Sequence, residues 1–154
     1  MIYVECKPDA SLVRGLTGLS RRQIVHEFKG KYEVCKRVSG QTECKALVDE
    51  DPGSIQPPYL ARINLVEELP QQGLKVFQDK SRGNLVVVMC PKLEDWILRA
   101  AEDAGLLVSS YSLPNSSRSL HRVINANIVK LERLLQDLIN SGSERVRTLR
   151  RLLN

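Results

Sequence analysis

Three carboxylates stand together in "KALVDEDPGS", Lys45 to Ser54, where Asp49, Glu50 and Asp51 follow a short apolar run and precede a Pro-Gly break. At about 4 Å two such charges repel by about 4 kcal/mol at an effective dielectric near 20, so a cation, a basic partner or water has to offset them. A further acid, Glu5, closes the β-rich opening run "MIYVEC". Ligands of an open parallel sheet gather at the C-terminal ends of its strands. Glu5, Asp49 and Asp51 are expected at such ends, where three hard oxygen donors suit Mg²⁺ or Mn²⁺.

The elements that have to deliver these groups alternate along the chain. "MIYVEC" reads as a buried strand, and "KPDASLVRGLTGL" as a helix with Pro8 and Asp9 at its start and Leu12, Val13, Leu16 and Leu19 at helical spacing. Ser20 and Gln23 could cap a helix, but "QIVHEF" is favoured as a strand. A short helix through Tyr32, Val34, Cys35 and Val38 ends at Gly40, and "CKALVDED" is the next strand. After a Pro-rich loop, "ARINLVEEL" is expected as a short helix, and "LKVFQ" and "NLVVVMC" as strands. "PKLEDWILRAAEDAG" is a helix from Pro91 to the Gly105 stop, buried through Leu93, Trp96, Ile97 and Ala100. Alternating strands and helices predict an α/β domain over residues 1–114, with a mainly parallel sheet sandwiched by helices.

With the elements in place, "YVECKPD" beside "LVDEDPGS" resembles the toprim arrangement of topoisomerases, primases and overcoming-lysogenization-defect nucleases. In that family a Glu ends the first strand and an Asp-x-Asp a later one. The resemblance covers roughly the first hundred residues. It implies a Rossmann-type, toprim-like sheet that holds Mg²⁺ for making or breaking phosphodiester bonds. Glu5 matches the family's glutamate, and Asp49 and Asp51 its Asp-x-Asp. Cys6 departs from the pattern, since many members have Gly there and a side chain limits how closely backbone approaches a phosphate. Glu94, just past the last strand, is similar to a further acid in small toprim-like proteins and would complete a two-metal site. Its other reading is a favourable charge at a helix N-terminus.

Lys7, His26 and Lys31 are candidates to neutralise a phosphate or move a proton. Gly30 and Lys31 fall at a helix start, a natural anion seat, although GxxxxGK[ST] is absent. "DEDPGS" also invites comparison with the nucleophile motif of haloacid-dehalogenase enzymes. That motif belongs on a first strand with Thr or Val where Gly53 stands, so this reading is set aside.

The 154 residues are 42% apolar, enough for one domain with a real core. No apolar run approaches the roughly 18 residues of a membrane span, and the start lacks a signal-peptide layout, so a cytoplasmic protein is expected. Cys6, Cys35, Cys44 and Cys90 show no zinc spacing and are expected as reduced thiols. The net charge of +5 lies entirely beyond residue 114, where eight Lys or Arg face three acids. Residues 115–154 are therefore expected as a basic helical extension, packed on the domain or forming a homodimer through 120–138. Its stripe is Leu120, Ile124, Ile128, Leu131, Leu135 and Leu138.

The expected activity is that of a small Mg²⁺-dependent nuclease on DNA or RNA, with Glu5, Asp49, Asp51 and Glu94 as ligands and Lys31 and His26 assisting. Aromatics are only 5% of the chain, so contact with nucleic acid would fall on the backbone rather than the bases. The alternative is a non-catalytic nucleic-acid-binding or protein-interaction module with a degenerate acidic site, served by the C-terminal helices.

Overall fold

The computed structural model describes residues 1–26 and 30–154. The apolar opening run forms β1 (Ile2–Val4), and the chain turns at once into α1 (Lys7–Thr17). Pro8 occupies the first turn, where its missing N–H costs nothing. The Cys6 N–H donates to Asp9 Oδ2 at 3.0 Å, closing that turn. Gly18, at φ 71°, supplies the left-handed stop.

Ser20 and Gln23 do make a reciprocal cap, but for a single 3₁₀ turn (Arg21–Gln23) that leads into strand β2 (Ile24–His26). The remainder of "QIVHEF" lies outside the described residues. Next come α2 (Lys31–Ser39) and β3 (Lys45–Asp49), the latter carrying Ala46, Leu47 and Val48 fully buried.

One expectation is corrected beyond this point. "ARINLVEEL" is not a helix: only α3 (Pro58–Arg62) is helical, and Asn64–Leu69 forms strand β4. The residues have no strong preference of their own, and pairing with β5 (Leu74–Asp79) decides their state. The sheet is mainly parallel, as expected, with an antiparallel edge. Its order is β2-β1-β3-β6-β5-β4, with β6 being Asn84–Met89. β1 runs parallel to β2 and β3, and β3 parallel to β6, while β5 is antiparallel to both neighbours.

Both faces are covered, in keeping with period-2 alternation along each strand. Ile2, Val4, Leu47, Val87 and Met89 pack towards α1 and α4 (Leu93–Asp103). Tyr3, Ala46, Val48, Val86 and Val88 pack with Val34, Val38 and Leu60 on the other face. Because α1 and α2 cover opposite faces, the C-terminal ends of β1 and β3 flank the point where the winding reverses. That is where an open α/β sheet leaves a crevice.

The C-terminal segment forms α5 (Ser117–Ala126), α6 (Ile128–Ser141) and α7 (Glu144–Leu153). The stripe is therefore split over two helices at Asn127. Leu120, Ile124, Leu131, Leu135 and Leu138 are at most 3% exposed, within the same core as β1 and α1. Those apolar positions of 120–138 are thus covered by the chain itself. No described helix is long and apolar enough to cross a membrane.

Candidate active site

Glu5 and Asp49 meet because β1 and β3 are neighbours in register. Val4 pairs with Leu47, so the residues that follow leave the sheet side by side. Glu5 Oε1 accepts the Asp49 N–H at 2.6 Å, and the Lys31 N–H at the start of α2 also bonds to its carboxylate. Gly30 takes φ 82° just before α2, a backbone conformation L side chains rarely adopt, while a Cβ there would make only ordinary contact with Glu5 Oε2 at 3.7 Å. The anion seat read from Gly30 and Lys31 is real, but the chain's own Glu5 occupies it. Asp49 is held in the same way on the next helix, its Oδ1 accepting the Leu93 N–H of α4 at 2.8 Å. Two carboxylates from adjacent strands thus rest on two helix N-termini, whose dipoles favour negative charge.

The rest of the acidic run is shared out among cations. Glu50 Oε2 lies 2.6 Å from Lys75 Nζ, and this pair holds the Glu50 carboxyl below the usual range. Asp51, in a left-handed conformation at φ 45°, faces Lys92 at 3.9 Å. Its N–H donates to Pro91 O, so the acidic tip is stitched to the loop before α4.

Lys31 stands beside the cluster, where its charge works against the rise of the Glu5 carboxyl. Its ammonium is buried and donates to Glu50 O at 2.6 Å, Gln56 Oε1 at 3.3 Å and Ser54 Oγ at 3.5 Å. An ammonium has three donors and all three are used within the chain, so Lys31 clamps the "DEDPGS" loop, while its charge, met there only by neutral acceptors, still acts on the cluster. His26 stands at the end of edge strand β2, opposite Val4. It lines a cavity beside α1 together with Lys7.

Two residues that no sequence pattern had flagged, Asp9 and His121, join the cluster, the second through Glu94. Asp9, only 2% exposed, lies in the first turn of α1, and its Oδ1 is buried with no hydrogen-bond partner among the described residues. Its place was legible in principle: five residues past the end of β1 and in the first turn of a helix, a side chain points back at that end. Glu94, 5% exposed, sits in the first turn of α4, and its Oε1 lies 2.6 Å from Nδ1 of His121 on α5. His121 is beyond reach of local pattern, because 26 residues separate it from Glu94 in the chain.

These acids are close enough to act on one another. Burial, followed by the charges of Asp9, Glu5 and Glu94, pushes the Asp49 carboxyl up to about 9. Burial pushes Asp9 up to about 7 against the Cys6 hydrogen bond, with Glu5 and Glu94 adding to the rise. Glu5 is raised by burial and by Asp51, against its two backbone hydrogen bonds. Hard carboxylate oxygens, a buried oxygen without a partner and mutual repulsion all fit a divalent cation in type and charge. Among the described residues, no group of three or more His, Cys, Asp or Glu side chains is placed to hold a metal ion. In comparisons with known proteins, the chain matches no family model, no curated protein and no solved structure.

Proposed function

We propose that the chain is a divalent-cation-dependent phosphodiester hydrolase of the toprim-like, Rossmann-type kind, acting on DNA or RNA. One observation carries the reading. Glu5 and Asp49, delivered by adjacent parallel strands to the reversal point of the sheet, are hydrogen-bonded together with Asp9, Asp51 and Glu94 acting on the same crevice. The four free thiols suit a reducing, cytoplasmic setting.

Glu5, Asp49 and Asp51 would hold Mg²⁺ or Mn²⁺, with Asp9 Oδ1 and Glu94 at the same rim. Such an ion, when bound, supplies Lewis-acid polarisation of a phosphoryl oxygen and activation of water. The chain's own residues do the positioning. The Asp49 and Lys31 N–H groups orient Glu5, the Leu93 N–H orients Asp49, and the Lys31 ammonium fixes the loop that carries Asp51. His121 fixes the Glu94 carboxylate and, being exposed, stands where a proton can pass between the crevice and solvent.

The test is hydrolysis of bis(p-nitrophenyl) phosphate and of labelled DNA and RNA with Mg²⁺ or Mn²⁺. Glu5→Gln, Asp49→Asn and Asp51→Asn are expected to lower the rate by a factor of about 100 or more while the proteins keep their melting transition. Variants as active as the wild type would remove these residues from the mechanism.

A further inference from the structure

Beside the acid cluster, a cavity of about 380 Å³ lies between α1, edge strand β2 and α6. Its walls are basic. Lys7 and Arg14 line it from one face of α1, Arg21 from the 3₁₀ turn and His26 from β2. The one carboxylate among the described lining residues is Glu132 of α6, which bonds Arg14 at 3.0 Å. That pair is more than a third exposed on both sides, the kind of contact that contributes little and opens readily. Lys7 and Arg21 are exposed and form no ion pair with a described residue.

The position of the cavity is as telling as its charge. Lys7 is two residues beyond Glu5 and two before Asp9, and His26 pairs in register with Val4, so the cavity opens at the end of the sheet where the acids gather. From Lys7 to Arg14 the helix rises about 10 Å. Side chains that far apart can reach neighbouring phosphates of one strand. A space of this size between two helices admits one strand and not a duplex. None of the described lining residues is Phe, Tyr or Trp, so no large aromatic surface there selects for bases.

We propose that this groove binds the sugar-phosphate backbone of a single-stranded polynucleotide, guiding it to or from the acid cluster. The proposal rests on the phosphodiesterase reading of that cluster. Lys7 and Arg21 take phosphates directly, and Arg14 turns from Glu132 to a third. Recognition is through charge and spacing, hence independent of base sequence and strongly weakened by salt.

The experiment measures binding of fluorescein-labelled oligo(dT) and oligo(U) to the full chain in EDTA, over a range of salt concentrations. The Lys7→Gln/Arg21→Gln double variant is expected to bind about tenfold more weakly, and its salt slope to fall by about 1.4, the value for two lost single-strand phosphate contacts. Arg147→Gln/Arg151→Gln, which removes the same charge from exposed positions on α7, is expected to bind as the wild type does. Wild-type affinity in the groove variant, loss confined to the α7 variant, or no binding by the wild type would each overturn the groove. Hydrolysis of bis(p-nitrophenyl) phosphate by the wild type, a diester too small to span the groove, reports on the acid cluster separately. Hydrolysis with groove-insensitive oligonucleotide binding sinks the groove alone, and groove-sensitive binding without hydrolysis sinks the phosphodiesterase reading alone.

Discussion

Asp49 and Asp9 hold their protons more tightly in the folded chain than in the unfolded one, where both would titrate near 3.8. A carboxyl raised in this way favours the fold fully in acid and loses that contribution as the pH climbs through the folded value. In EDTA the melting temperature is therefore expected to fall between about pH 5 and pH 9, through the values of about 7 for Asp9 and about 9 for Asp49. Asp49→Asn should flatten the upper part of that profile and raise the melting point near pH 9, as Mg²⁺ should for the wild type. A profile level over this range in EDTA would contradict the charge crowding. Glu5, Asp49 and Asp51 were legible in the sequence because an apolar run ending in an acid places that acid at the rim of a sheet. Asp9 was not singled out, since an Asp after a Pro reads as an ordinary helix start and its burial depends on what α1 packs against.

Elements hold these residues through bonds that are mostly between side chain and backbone. The Lys31 ammonium is the clearest case, tying α2 to the loop after β3 by three acceptors. Lys31→Met keeps the buried stem but strips those bonds, leaving Glu50 O without its shortest one. The expected cost is about 1–3 kcal/mol in urea denaturation, together with a lower rate of phosphodiester hydrolysis. Unchanged stability and rate would mean that the loop needs no clamp. α1 and α4 were legible from Pro at the start, Gly at the end and an apolar stripe between. β4 was not, because Asn64–Leu69 is mostly exposed and mixed in preference, so its state follows from the neighbour that pairs with it.

At the scale of the whole molecule, the C-terminal helices complete the core of the α/β part. Leu120, Ile124, Leu131 and Leu149 share one buried cluster with Ile2, Leu47 and Trp96, and all are at most 2% exposed. A chain cut after residue 114 is expected to expose that face of the sheet, giving collapsed spectra without dispersed methyl signals in NMR; a well-dispersed spectrum would show that the first part folds alone. The sequence by itself determined the α/β alternation, the acids at the strand ends and the basic balance of residues 115–154, because these depend on local pattern and composition. Only the tertiary structure decided that β5 and β4 run antiparallel, that the 120–138 stripe faces inward, that Glu5 fills the anion seat of α2, and that Asp9 and His121 reach the acidic crevice. Each of these turns on which distant segment lies alongside, and no spacing along the chain encodes that on its own.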